Sequence, residues 1–206
     1  MLLAGSAGGT CSEPPKAASA VTALHGGVAE GSRFSLAEIQ DLAKRSGAAT
    51  RHPPLGFYVS SLAHDVTIRT EKHTSPDRSR CGFLATVTIR LALVNRAVEV
   101  AYDFQGQPCL YEAVLQHYRK HAAADDAVLS RLVEIASGSL VKAWPAIEAE
   151  LDASGATDEE AIHRVVEPIV ERVFDGIEQV RTDAIAAADS RQEVAALATA
   201  CRLTPP

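Results

Sequence analysis

The chain has 206 residues, 47% of them hydrophobic and 22% charged, with a net charge of −6. That composition excludes a disordered polymer, and a chain of this length buries most of its apolar surface without a metal or disulfides to hold the fold. Its Lys and Arg are scattered and form no basic stripe, which argues against nucleic acid as a partner, and no apolar run reaches the roughly 20 residues of a bilayer span.

Met1-Leu-Leu-Ala-Gly-Ser-Ala-Gly-Gly-Thr-Cys11 is similar to the tail of an export signal, with small residues after a short apolar start. It lacks a basic region and a full apolar stretch, so a plain disordered leader is the alternative. Residues 1–33 are rich in Gly, Ala, Ser and Pro and read as a flexible N-terminal segment ahead of a single domain over 34–206.

Ser35-Leu-Ala-Glu38 is a capping box that opens a short helix to about Ser46, with Leu36, Ile39, Leu42 and Ala43 on one face and Gly47 as its stop. After His52-Pro53-Pro54 the chain becomes strand-like from Gly56 to Thr70. A polar loop from Glu71 to Arg80 follows. Phe83, Ala85, Val87, Ile89, Leu91 and Leu93 then alternate, as do Val98, Val100, Tyr102 and Phe104. Asn95-Arg96 between the two runs suits a tight hairpin, so the expectation is a small antiparallel sheet of about three strands.

Gln105-Gly106-Gln107-Pro108 breaks the strand pattern. Leu110, Val114, His117, His121, Val128, Leu132, Ile135 and Leu140 then follow a helical period, which Pro145 is expected to interrupt and Ser154-Gly155 to end. Thr157-Asp-Glu-Glu160 is a second capping box, opening a long helix with Ile162, Val166, Ile169, Val173, Ile177, Val180 and Ala184 on one face and a kink at Pro168. The second half therefore reads as a long C-terminal helical hairpin, about 157–201, and the whole as an α+β protein.

The chemistry, if there is any, centres on His117 and His121. Residues at i and i+4 share a helix face, and two imidazoles at that spacing can bind one tetrahedral zinc. In zinc proteases the residue after the first His is a Glu that activates metal-bound water. Here it is Tyr118. A bare His-x-x-x-His also arises by chance among seven histidines, as two half-exposed residues on a polar face.

The stretch Cys109-Leu-Tyr111-Glu-Ala113-Val114-Leu115-Gln-His117-Tyr118-Arg-Lys-His121, with Cys81 ahead of the strands, resembles a family of bacterial exported, zincin-like putative zinc proteases of uncharacterised function. That family carries Cys-x-Tyr-x-Ala-hydrophobic-hydrophobic-x-His-Glu-x-x-His. The ending Asp189-Ser190-Arg-Gln-Glu193 is similar to its Asp-(Ser or Thr)-x-x-Glu, and the likeness covers about two-thirds of the chain. The resemblance implies a zincin-like fold with a sheet packed on a metal helix. It also implies zinc as the cofactor on His117 and His121, disulfides Cys81–Cys109 and Cys11–Cys201, and a periplasmic or secreted location.

The departure falls at the chemical centre. Tyr is a poor base at neutral pH because its unperturbed pKa is about 10, and loss of a general base removes about 10²–10⁴-fold of rate. Glu112 lies at the other end of the helix and off the His face. No catalytic residue is assigned. Asp125 continues the His117, His121 series but stands about 12 Å of rise and about 80° beyond His117 in a straight helix, too far to share one ion. Glu167, Glu171, Asp175 and Asp189 are further candidates for a third ligand, each also readable as a solvated surface charge.

Four cysteines without a Cys-x-x-Cys pair exclude a zinc ribbon or thioredoxin motif, and they fit either two disulfides in any pairing or buried thiols in a cytosolic protein. His25, His52, His64, His73 and His163 form no local ligand pattern. Trp144 reads as a core plug between helices, and Ser60-Ser61 with His64 and Asp65 holds triad residue types without the long-range arrangement triads use. Three functions stay open. The first is a degenerate metallopeptidase that keeps a metal but has lost its base, acting as a pseudoenzyme or binding protein. The second is an active metal-dependent hydrolase with a non-standard base. The third is an interaction module whose helical hairpin takes a protein or peptide partner.

Overall fold

A computed structural model describes residues 17–46, 53–74, 80–156, 158–187 and 201. It is a mixed α and β structure. The strands are β1 (Ala18–His25), β2 (Ala29–Gly31), β3 (Gly56–Thr74) and β4 (Arg80–Val100); the helices are α1 (Leu36–Arg45), α2 (Pro108–Ser154), α3 (Glu159–Glu171) and α4 (Ile177–Ala187). Single 3₁₀ turns occupy Tyr102–Phe104 and Arg172–Phe174. The chain divides into two compact units, one made of residues 1–22, 64–90 and 133–175 and the other of residues 23–63, 91–132 and 176–206.

β4 is the hub of the sheet, pairing with β1, β2 and β3. β2 runs parallel to it, with Ala29 opposite Ala97 and Gly31 opposite Glu99, so the antiparallel sheet expected from the sequence is corrected. The expected hairpin at Asn95-Arg96 is absent as well, because β4 continues through it as one strand. Asn95 adopts φ 54°, and the buried positions change from Val87, Ile89, Leu91 and Leu93 to Arg96, Val98 and Val100. A turn residue in the left-handed region here shifts the pleat by one residue instead of reversing the chain. A second shift separates buried Gly82 and Leu84 from Val87, which takes Phe83 and Ala85 off the shared face.

β1 and β2 occupy part of the stretch expected to be flexible. Nearly every side chain of β1 is exposed, so its partners are backbone groups of the sheet and no apolar period marks it.

α1 starts as the sequence indicates. Ser35 accepts from the Glu38 amide at 3.2 Å, the Glu38 carboxylate accepts from the Ser35 amide at 2.7 Å, and Ile39 is buried beneath. α2 begins at Pro108, where a missing amide costs nothing, and runs unbroken through Pro145. The expected interruption is therefore corrected: Pro145 lies inside the helix, four residues after Val141, which is 65% exposed.

The long second helix is divided. Asp158 caps α3 by accepting from the Ala161 amide, and Pro168 sits within it. The Arg172–Phe174 turn and Gly176, at φ 79°, then separate α3 from α4, so the hairpin helix expected over 157–201 is two helices as far as Ala187. Residues 188–200, with Asp189, Ser190, Glu193 and Leu197, lie outside the described residues.

In the unit built from 23–63, 91–132 and 176–206, Ile39, Val98, Val100, Ala101, Phe104, Leu110, Val114 and Leu115 form one core cluster. Phe57, Tyr58, Tyr111, Tyr118 and Cys201 pack against it. The Ala101 amide donates to Leu55 and the Tyr102 amide to Phe34, which fixes the exit from β4 against the start of β3. These contacts aim the first five turns of α2 at the core.

Candidate functional site

All of the groups described next belong to that one unit. α2 carries Cys109, His117, His121 and Asp125 at multiples of four, a stripe that winds slowly round the helix. His117 and His121 are 7% and 5% exposed, so the bland expectation of half-exposed surface histidines does not hold. Their Nε2 atoms face each other at 3.2 Å, with the rings edge to face at 4.8 Å between centroids. Two nitrogens at 2.0–2.1 Å from one tetrahedral zinc stand about 3.3–3.4 Å apart, so the pair has the spacing of two ligands to one ion. Among the described residues, no group of three or more His, Cys, Asp or Glu could hold a metal.

Tyr118 occupies the position of the missing base. Its ring meets His117 edge-on at 4.9 Å and lies tilted over His121 at 5.5 Å. Gly56, the buried first residue of β3, comes so close that a Cβ there would stand 2.8 Å from Tyr118 Cε2 and 2.5 Å from the Glu99 carbonyl oxygen. Glu112 is exposed and accepts from Gln116.

One turn further along α2, Asp125 is fully buried. Oδ1 accepts from Arg181 Nε of α4 at 2.9 Å, and Oδ2 accepts from Tyr58 Oη at 2.9 Å, Ser60 Oγ at 2.6 Å and Arg181 Nη2 at 3.2 Å. Burial pushes the Asp125 carboxyl up, but the hydrogen bonds from Arg181, Ser60 and Tyr58 together with the Arg181 charge outweigh it and hold the group below the ordinary Asp range. Tyr58 moves the other way, raised chiefly by burial. A carboxylate engaged by four donors is spoken for, which removes Asp125 as a third metal ligand on chemical as well as geometric grounds.

Asp126 starts a second cluster. Arg96, 5% exposed, donates from Nη2 to Asp126 at 2.9 Å and to the Ala122 carbonyl at 3.1 Å, from Nη1 to Gly26 at 2.7 Å and from Nε to Tyr58 Oη at 3.2 Å. His25 Nδ1 stands 2.9 Å from the other Asp126 oxygen. Glu99, 2% exposed, is held by the Arg33 amide at 3.1 Å and by the Arg33 guanidinium.

The remaining sequence candidates scatter. Glu167, Glu171 and Asp175 are exposed members of the other unit, where Glu171 stands 3.8 Å from His64 and His64 stacks on Phe174. Asp189, His52 and the side chain of His73 lie outside the described residues, and His163 is half-buried on α3. Ser60 Oγ is taken by Asp125 and Arg181, so it is no triad nucleophile. Trp144 is half-buried and donates to Glu148 on its own helix. Cys109 pairs with Cys201, Cα to Cα 5.8 Å, which overturns the pairings Cys81–Cys109 and Cys11–Cys201. Cys11 and the side chain of Cys81 lie outside the described residues. Among the described residues no helix is long and apolar enough to cross a membrane.

Sequence reasoning missed Tyr58, Arg96 and Arg181, and weighed Ser60 only as a triad residue type. Arg181 had a signal: it follows Ile177 by four on the apolar stripe of its helix, where a charge must find a partner. No protein-family model matches the chain, no curated protein is similar to it, and no solved structure matches it.

Proposed function

We propose that the chain is an exported, zincin-like protein that binds zinc through His117 and His121 and has lost peptidase activity, so that it acts as a pseudoenzyme or binding protein. The observation that carries the metal half is the 3.2 Å between the two buried Nε2 atoms. Bound zinc would polarise a coordinated water, and at this site Tyr118 offers no carboxylate to take the proton. The Cys109–Cys201 disulfide supports the exported half, since structural disulfides persist in oxidising compartments.

The same 3.2 Å also suits a hydrogen bond between two neutral imidazoles, which makes the pair a satisfied core feature without metal. Zinc titration of protein purified without a His tag separates the two. The metal reading expects one zinc per chain, a rise in melting temperature on loading, and loss of both in His117→Ala and His121→Ala. Zinc-free protein whose melting temperature ignores added zinc would sink it. The pseudoenzyme half is tested with Tyr118→Glu: chelator-sensitive cleavage of an unfolded protein by the variant alone supports it, and equal activity in the unaltered chain refutes it.

A further inference from the structure

We propose that the outer edge of β1 is an interface between two copies of this chain, which pair β1 with β1 antiparallel about a two-fold axis. Among the described residues β1 pairs with β4 alone, and every residue of β1 except the half-buried Val21 is exposed. One ladder with so little side-chain burial gives a strand little to offset the entropy of holding it extended, and a second ladder supplies the missing bonds. The edge is also unguarded. Ala18-Ser-Ala-Val-Thr-Ala-Leu-His25 has no Lys, Asp, Glu or Pro, the residues that keep a free strand edge from pairing. Backbone alternation fixes which groups are on offer. Gly26 donates its amide to the Leu93 carbonyl of β4, and the Thr22 hydroxyl reaches the Ile89 carbonyl, so the two contacts share one register. The amides of Ala20, Thr22 and Leu24 therefore face β4, and those of Ser19, Val21, Ala23 and His25 face outward. A second copy fits this edge on two grounds. Each chain carries a net charge of −6, so copies meet with least repulsion where neither is charged. Outward groups of one strand are also self-complementary when two copies run antiparallel. The register with Val21 opposite Val21 and Ser19 opposite Ala23 sets no like charges together. It leaves His25, bound to Asp126 of its own chain, at the end of the ladder. Residues 18–24 of each copy make a small interface, of the weak and concentration-dependent kind.

Sedimentation equilibrium of the full chain from about 5 µM to about 1 mM spans the affinities such an interface supports. The average mass is expected to rise with concentration toward that of two chains. Ala23→Pro removes an outward amide and leaves the β4 ladder whole. It deletes two hydrogen bonds per dimer, so dimerisation is expected to weaken at least about tenfold while the melting temperature of dilute protein stays unchanged. If Ala23→Pro does not fold, charge on the same edge takes its place. Ser19→Lys with Ala23→Lys sets Lys against Lys across the axis and is expected to abolish the dimer, and Ser19→Lys with Ala23→Glu to restore it. Hydrogen exchange read residue by residue identifies the edge: the amides of Ser19, Val21 and Ala23 slow only where the dimer forms, and those of Ala20, Thr22 and Leu24 are slow throughout. A chain that stays single up to about 1 mM overturns the proposal, whether or not a foreign peptide binds it. So does a dimer that Ala23→Pro or the Lys pair leaves intact, which places the contact elsewhere. Protection of the three outward amides in dilute protein overturns it as well, since the edge would then be covered within one chain.

Discussion

Asp125→Ala is the sharpest test of how this unit is held. The substitution removes a carboxylate that is 0% exposed and leaves the Arg181 guanidinium, 5% exposed as a residue, without its main counter-charge. Tyr58 and Ser60 lose their acceptor at the same time. Removing one partner of a buried ion pair costs about 3–5 kcal/mol. Arg181 keeps Glu178 at 2.9 Å and the Ser60 carbonyl at 3.4 Å, which places the expected loss near the lower end, about 3 kcal/mol. Urea unfolding at pH 7 measures it, followed by far-ultraviolet dichroism and by the fluorescence of Trp144, the single tryptophan, which sits in the other unit. Coincident transitions license one free energy, and separated ones assign the loss to the unit that holds Asp125. The acid limb has a defined sign. The folded pKa of Asp125 lies below the unfolded value of about 3.9, so its contribution is complete above that pH and disappears as pH falls through the folded pKa. Asp125→Asn is therefore less stable than the unaltered chain at pH 7 and loses less of its stability below about pH 4. Replacing the pair together, Asp125→Leu with Arg181→Met, is expected to recover most of the loss. A cost under about 1 kcal/mol for Asp125→Ala, or a double variant as unstable as the two single losses added, would refute the account.

Substitutions at two further positions probe the backbone of the same unit by urea unfolding. Gly56→Ala puts a Cβ 2.5 Å from the Glu99 carbonyl oxygen, a backbone atom with little freedom to yield, and is expected to cost about 1–3 kcal/mol; an unchanged midpoint would show that β3 can move away from β4 and Tyr118. Asn95→Gly should be neutral within about 0.5 kcal/mol and Asn95→Val destabilising by about 1–2 kcal/mol, because φ 54° suits only residues that tolerate the left-handed region, and equal stability of the two variants would contradict that conformation.

What could be read in advance depended on whether a signal was local. The Ser35–Glu38 capping box, the break at Gln105–Pro108 and the alternation of Val87 to Leu93 each lie within a few residues of what they specify, and each element appears where its signal stood. Asn95 failed because left-handed backbone serves a tight turn and a shifted pleat equally well, and only the partner strand decides between them. β1 was invisible because its exposed side chains carry no period. At the site, spacing placed His117 and His121 on one face, but neither their burial nor the close approach of Gly56 to Tyr118 is encoded by any local pattern. The same holds for Asp125: its distance from Arg181 in the chain, 56 residues, hides a bond that dominates its environment.

The disulfide offers a check on both the fold and the compartment. Cys109 is the second residue of α2, and Cys201 packs against the cluster that Val98, Leu110 and Val114 share, so the bond ties the chain after α4 back to the start of the site helix. The sequence separation is 92 residues, and closing such a loop contributes about 4–5 kcal/mol in the chain-entropy model. Cys109→Ser with Cys201→Ser is expected to lose about that amount, and peptide mapping under non-reducing conditions to recover the Cys109–Cys201 link; a Cys81–Cys109 link would refute the arrangement outright. Arg181 on Asp125 is a second tie between the same two parts of the chain. Cys109 and Asp125 are 16 residues apart on one helix, about 24 Å of rise, beyond the range at which perturbations couple by contact. The cysteine double variant and Asp125→Ala should therefore add to within about 0.5 kcal/mol. A larger departure from additivity would mean that the two ties give way as one.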